Sequence, residues 1–254
     1  MRGMLILGIS AALVGTISSA AETLTAREMI RRADEQMRGT TSQGEAEMTI
    51  ITPEWRRTMT MRFWEDARGD KAFVRILSPA KDRGTATLKL GNEIWTYMPS
   101  IERSMKIPPS MMHQGWMGSD FTNDDMVKSS SVVDDYEHSL TDTTQLDGET
   151  VYVITMVPKE EAAVVWGKIV YYARTTDYLP LREDFYDEDS VLVRRMTLTE
   201  FRQMGGRVIP MLMTLTPLTE EKKGHETIFR YFSIEFNANI SESVFTRANL
   251  ERAR

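Results

Sequence analysis

The chain has 254 residues, with 37 acidic side chains, 31 basic side chains and no cysteine. Its net charge of −6 and the lack of a basic stripe argue against nucleic-acid binding. The absence of cysteine excludes disulfides and a cysteine-linked lipid anchor, so burial of apolar side chains has to hold the fold together.

Residues 1–21 have the pattern of a secretory signal peptide: Arg2, an uncharged apolar run, and small residues from Ser18 to Ala21. The apolar run is shorter than the roughly 20 residues that cross a bilayer, so the protein is predicted not to span a membrane. We expect cleavage before Glu22 and a periplasmic protein. Residues 22–254 contain no linker and no repeat, which predicts one domain.

The mature chain is predicted to begin with a helix. Thr25 and Glu28 have the spacing of a capping box, and Gly39 is a typical helix stop. Between them lies an apolar stripe at helical spacing, formed by Met29, Ile30, Ala33 and Met37. That stripe has to pack against another element.

Short runs with strand periodicity follow, separated by turn residues. They are predicted at 46–52, 57–64, 71–77, 85–90, 93–98, 103–107, 132–140, 150–157, 168–173, 181–186, 191–201, 208–215 and 227–236. Thr122 or Asn123 is predicted to cap a short central helix. These thirteen runs predict some eleven or twelve antiparallel strands, and that many strands in one domain would curl. The predicted fold is therefore mainly β with few helices (α+β): a single antiparallel sheet curled into an unclosed half-barrel around the two helices.

An irregular segment at 108–121 lies between the two groups of strands and carries unusually many large apolar side chains. Such side chains need cover from the core, a partner or an apolar ligand. Pro108, Pro109 and nearby glycines predict a mobile lid over the mouth of the half-barrel, with a permanently packed loop as the alternative. The candidate ligand-binding residues of pocket and lid are Met59, Met61, Phe63, Trp95, Tyr97, Met98, Met111, Met112, Trp116, Phe121, Met211 and Met213.

Catalytic and metal-binding patterns are weak. The histidines, His113, His138 and His225, are not at ligand spacing, and no metalloprotease, serine-hydrolase or P-loop motif occurs. Three adjacent acidic pairs, at 124–125, 134–135 and 183–184, invite comparison with glycosidases. Adjacent residues of a strand point to opposite faces, however, so the sequence predicts neither an enzyme nor a metal site nor a cofactor. The acidic segment at 120–125 is explained by helix capping as well as by calcium binding.

The order of these features resembles the LolA-like superfamily, often labelled outer membrane lipoprotein-sorting proteins. The matching motifs are G-S-D-F-T-N-D-D-M at 118–126, Y-L-P-L-R at 178–182 and I-S-x-S-V-F-T at 240–246. The resemblance implies an unclosed barrel with helical lids and an apolar interior that shields acyl chains in the periplasm. It also implies relatives that sense envelope stress or serve RND-type exporters. The lid arginine of true lipoprotein carriers has no counterpart that we can assign, which favours a lateral branch.

Two function classes follow. The first is a monomeric periplasmic carrier or chaperone that binds a lipid, lipoprotein acyl chains or another apolar cargo, working with an RND-type exporter or an outer-membrane acceptor. The second is a non-catalytic interaction or sensor module whose apolar loop docks on a membrane-protein partner. Burying a long acyl chain contributes about 10 kcal/mol of binding free energy, at roughly 0.8 kcal/mol per CH₂, so a small pocket suffices for carriage.

Overall fold

The computed structural model describes residues 24–67, 70–128, 132–162 and 164–252. The predicted signal peptide at 1–21 lies outside these residues. Within them, three α-helices accompany one large sheet: α1 (Ala26–Arg38), α2 (Asn123–Lys128) and α3 (Arg247–Leu250). None of these helices is long and apolar enough to span a membrane.

The described residues form thirteen strands, rather than the eleven or twelve predicted, in a single antiparallel sheet. The spatial order is β6-β5-β4-β3-β2-β1-β13-β12-β11-β10-β9-β8-β7, and the sheet is not closed. This confirms the predicted unclosed half-barrel. The strands are β1 (Thr41–Ile51), β2 (Arg56–Asp66), β3 (Lys71–Ser78), β4 (Ala86–Leu90), β5 (Glu93–Met98), β6 (Arg103–Lys106), β7 (Tyr136–Leu146), β8 (Glu149–Pro158), β9 (Lys168–Arg174), β10 (Pro180–Tyr186), β11 (Leu192–Met204), β12 (Arg207–Pro217) and β13 (Glu226–Phe236).

Helix α1 begins and ends where its sequence signals place it. The Thr25 hydroxyl accepts a hydrogen bond from the Glu28 amide at 3.2 Å, and Gly39 follows with a positive φ of 65°. Its buried stripe packs on the inner face of the β7–β10 half of the sheet, against Tyr136, Ile154 and Tyr171. The helix therefore forms a roof over one half of the sheet.

The other half of the sheet is covered by the central segment, residues 108–121, which lies between β6 and β7. Trp116 is 3 % exposed and packs with Met48, Met59 and Met61 of β1 and β2. These methionines face the same way because β1 and β2 pair in register, with Met48 opposite Met59. Two separate covers, α1 and the central segment, thus lie over the inner face of one continuous sheet.

The outer face carries a smaller cluster of its own. Phe245 and Leu250, from the C-terminal segment, pack with Phe73, Leu88 and Tyr97 of β3 to β5. Because β-strand side chains alternate, these strand residues point away from Val74 and Thr87 on the inner face. The C-terminal segment is therefore a brace on the outside of the sheet.

Candidate functional site

A cavity of about 360 Å³ lies between the inner face of the sheet, α1 and the central segment. That volume is within the range of roughly 300 to 1,000 Å³ that is usual for small-molecule sites. Most of its wall is apolar. The apolar lining includes Ile30, Met37, Met61, Phe63, Val74, Trp116, Phe121, Met126, Met156, Trp166, Ile169, Phe185, Met196, Leu198, Met213 and Phe229.

Five of the sequence-predicted residues line this cavity: Met61, Phe63, Trp116, Phe121 and Met213. They come from β2, the central segment and β12, which the curled sheet brings together. The structure therefore unites three stretches that are distant in sequence.

Met59 and Met211 lie on the inner face but are enclosed by protein. Met59 is 0 % exposed within the cluster around Trp116, and Met211 is 4 % exposed beside Ile209 and Ile234. Neither side chain is part of the cavity lining. They pack against residues that line the cavity, Met59 against Met61 and Trp116, and Met211 against Phe63.

The remaining predicted residues lie elsewhere. Trp95 and Tyr97 are on the outer face under the C-terminal segment, because the inner face of β5 carries Ile94 and Thr96. Neither residue lines the cavity. Met98, Met111 and Met112 do not line it either. Met98 is half-buried at the end of β5, and Met111 and Met112 pack with Ile94, Ile107 and Val127.

Trp116 is held over the cavity by hydrogen bonds as well as by packing. Its indole Nε1 donates to the Thr87 hydroxyl at 3.0 Å, and its backbone N donates to the Phe121 carbonyl at 2.7 Å. Asp120 accepts a hydrogen bond from the Thr227 hydroxyl at 2.8 Å. These contacts tie the central segment to β4 and β13.

One side of the cavity wall contains a buried ion pair that the sequence did not reveal. Arg194 on β11 donates to both carboxylate oxygens of Asp125 on α2, at 2.7 and 2.6 Å. Burial opposes ionisation of Asp125, yet the charge of Arg194 and hydrogen bonds from Thr122 lower the pKa of this carboxyl. The pair joins the short central helix to the opposite half of the sheet.

Glu183 on β10 adds an acidic group to the same wall. Burial raises the pKa of its carboxyl to about 7, although the positive charges of Arg194 and Arg38 oppose the rise. Its neighbour Asp184 points to the outer face, where it accepts hydrogen bonds from Arg195 at 2.6 and 3.0 Å. The two adjacent acids thus lie on opposite faces and are not a catalytic pair, as strand alternation predicts.

A second charged cluster lies where α1 ends. Arg38 donates to Asp34 at 2.6 Å and to Glu65 of β2 at 2.6 Å. Burial raises the pKa of Asp34, and the charge of Arg38 opposes that rise. This cluster fastens the end of the helical roof to the sheet beside the cavity.

The comparisons with known proteins place this fold among LolA-like proteins. A DUF1329 family protein from Desulfovibrio piger has a TM-score of 0.80 at 22% identity, covering 89% of this chain and 97% of the other. A putative outer membrane lipoprotein-sorting protein domain from Vibrio parahaemolyticus gives 0.78 at 22% identity, covering 89% and 98%. A LolA superfamily protein from Nitrosomonas europaea gives 0.74 at 19% identity, covering 89% and 99%. The predicted resemblance is confirmed at the level of the fold.

The chain belongs to the family whose model, described as that of an uncharacterized protein, matches residues 68–252. No curated protein matches the sequence. Function therefore has to be inferred from the cavity and its lining.

Proposed function

We propose that the protein is a periplasmic carrier that shelters the apolar part of a lipid, of lipoprotein acyl chains or of a similar cargo in the cavity. The observation that carries this proposal is a cavity of about 360 Å³ with a mainly apolar wall, roofed by α1 and by Trp116 and Phe121. A single chain buried there gains about 0.8 kcal/mol per CH₂ before ordering costs. The solved structures named as lipoprotein-sorting and LolA superfamily proteins share the fold, which is consistent with carriage.

A carrier has to load and unload its cargo at membranes. We therefore propose that the carrier is a monomer and that its partner is a membrane exporter of the RND type or an outer-membrane acceptor. The wall residues Met61, Phe63 and Met213 and the cover residues Trp116 and Phe121 would contact the cargo. The adaptable methionine side chains suit chains of different shape.

The test is to purify the protein from periplasmic extracts and to identify co-purifying lipid by extraction and mass spectrometry. Ala72 lines the cavity from β3, so Ala72→Trp should fill part of the space and reduce retained lipid at least tenfold. Ala80→Trp, at an exposed turn position, is the matched control and should retain as much as the wild type. Circular dichroism checks that both variants fold.

Two outcomes would contradict carriage. One is a wild-type protein that carries no lipid and takes up none from vesicles. The other is a folded Ala72→Trp variant that retains as much cargo as the wild type. Either result would favour the interaction module as the function of this chain.

A further inference from the structure

The two neighbouring acids of β10 differ in whether their carboxylates have hydrogen-bond partners. Asp184 is satisfied on the outer face by Arg195, with Arg182 also within 3.4 Å. Glu183 lines the cavity, and its carboxyl has no hydrogen-bond or ion-pair partner among the residues that the structure describes. Glu183 is half-buried, with its carboxyl in a mainly apolar cavity wall. A carboxylate that loses part of its hydration without gaining a partner is costly, so the site favours a group that brings a hydrogen-bond donor or a positive charge.

The side chains around Glu183 are already committed to other partners. Its cross-strand neighbour Tyr171 donates its hydroxyl to the Tyr178 carbonyl at 3.0 Å. Arg194 donates to Asp125 through both terminal nitrogens, and its buried Nε has no hydrogen-bond partner among the described residues, Glu183 included. Arg38 is engaged by Asp34 and Glu65.

The charge balance of the wall points in the same direction. Among the described residues that line the cavity, seven are acidic and four are basic. The acidic ones are Asp34, Glu65, Asp66, Asp70, Asp124, Asp125 and Glu183, and the basic ones are Arg38, Lys71, Lys89 and Arg194. The titratable and charged groups around Glu183 are Asp34 and Arg38 on α1, Asp125 on α2, Tyr171 on β9 and Arg194 on β11. An excess of acid repels an anionic head and attracts a cationic one.

We propose that the cargo is a single-chain amphiphile with a primary ammonium head, which binds the Glu183 carboxylate while its chain lies along the apolar wall. This inference rests on the proposed carrier function and specifies its cargo. An ammonium group is compact and carries three donors, so it can bind Glu183 without displacing the Arg194–Asp125 pair. The cavity volume of about 360 Å³ suits one chain better than a diacyl lipid.

The experiment compares three probes with the same chain and different heads: dodecylamine, dodecanol and dodecanoic acid. Titration calorimetry on the delipidated mature protein at pH 7 should show dodecylamine binding at least tenfold more tightly than dodecanol. Dodecanoic acid should bind most weakly, because its carboxylate would meet the acidic wall. The three affinities separate the contribution of the head from that of the chain.

Glu183→Gln is the matching variant, because it removes the charge and keeps the shape. In this variant the amine and the alcohol should bind within about twofold of each other. Glu188→Gln, at an exposed position in the turn after β10, is the same substitution away from the cavity and should keep the wild-type preference. Circular dichroism of both variants verifies the fold.

Proton release gives a second readout that needs no variant. Since the pKa of the Glu183 carboxyl is about 7, it is partly protonated at neutral pH. An ammonium partner would ionise it and release about half a proton per bound dodecylamine, measurable as a difference in heat between buffers of unequal ionisation enthalpy. Dodecanol should release none.

The outcomes distinguish this inference from the carrier proposal. If all three probes bind equally well, the carrier function stands and the ammonium inference is wrong. The inference is also wrong if Glu183→Gln keeps the preference for the amine. If none of the probes binds, the carrier function itself fails.

Discussion

Arg194 combines contacts that allow a positive charge to lie in a mainly apolar wall. Its guanidinium carbon lies 4.0 Å from the ring centre of Trp166 and 4.3 Å from that of Phe185, while its nitrogens bind Asp125. A guanidinium is planar and weakly hydrated, so it tolerates aromatic neighbours and bidentate pairing better than an ammonium does. The buried charge of Arg194 nevertheless needs Asp125 as its counterion, because the aromatic rings alone do not compensate it.

We predict that Asp125→Asn destabilises the protein by about 3 to 5 kcal/mol, because it leaves a buried charge without its counterion. Urea unfolding followed by circular dichroism measures the change. Asp134→Asn is the control: Asp134 pairs with Arg27 at 2.6 Å, but both side chains are more than half exposed. That pair should contribute less than about 1 kcal/mol. Equal losses for the two variants would contradict the assigned role of the buried pair.

Strand alternation predicts which side chains share a face, but it does not identify the inner face. The sequence groups Met59, Met61 and Phe63 together, and all three lie on the inner face. It also predicts pocket positions for Trp95 and Tyr97, which lie on the outer face. Which face Trp95 occupies depends on the register of β5 against β4, in which Trp95 lies opposite Leu88. The strand pattern of a single sequence does not determine that register.

The central segment is the element whose sequence and structure are hardest to relate. Its apolar content predicts that it needs cover, and Trp116 and Phe121 do face the cavity. Met111 and Met112 instead pack beside Ile94 and Val127. No local periodicity separates these two halves, because irregular backbone has no repeat that assigns side chains to faces. By contrast, α1 was predictable because its cap, stripe and stop residues are all local signals.

We predict that the environment of Trp116 changes when cargo enters, since its ring is part of the cavity wall. A variant with the other four tryptophans, Trp55, Trp64, Trp95 and Trp166, changed to phenylalanine leaves Trp116 as the reporter. Its emission should differ between delipidated and lipid-loaded protein. Thr87→Val removes the acceptor of the indole hydrogen bond and should make opening of the segment easier, increasing the shift.

Identical emission in the two states would contradict a lid that responds to cargo. The control is a protein with Trp55 as the reporter, because Trp55 is 45 % exposed and is not part of the cavity wall. Its emission should not depend on loading. A shift at Trp55 as large as that at Trp116 would indicate a general effect of lipid on the protein.

At the scale of the whole molecule, the strand order places the first and last strands side by side in the middle of the sheet. β1 pairs with β13 from Ser42 opposite Phe236 to Ile51 opposite Glu226. The half-barrel was predictable from the number of strands and the two helices, and the LolA-like resemblance implied the same unclosed form. The central β1–β13 pairing was not predictable from the strand pattern, because its residues are far apart in sequence and local signals do not encode long-range pairing.

We predict that export removes residues 1–21, so that the mature protein begins at Glu22. The small residues before that position match the requirements of a signal peptidase site. Intact-mass measurement of protein from a periplasmic extract should give the mass of residues 22–254 without added lipid. Ala21→Arg places a large charged residue at the cleavage site and should leave the precursor uncut. A wild-type mass that retains the first 21 residues would contradict the assignment.

We predict that residues 22–254 unfold as one cooperative domain. The sheet runs without interruption through the β1–β13 pairing, and the Arg194–Asp125 pair also joins the cover of one half to the strands of the other. Urea unfolding followed by tryptophan fluorescence should therefore coincide with unfolding followed by circular dichroism. Fluorescence reports on both halves, because Trp64 and Trp116 lie in one and Trp166 in the other. Two separated transitions would show that the halves fold independently, and the cavity would then lie between two domains rather than within one.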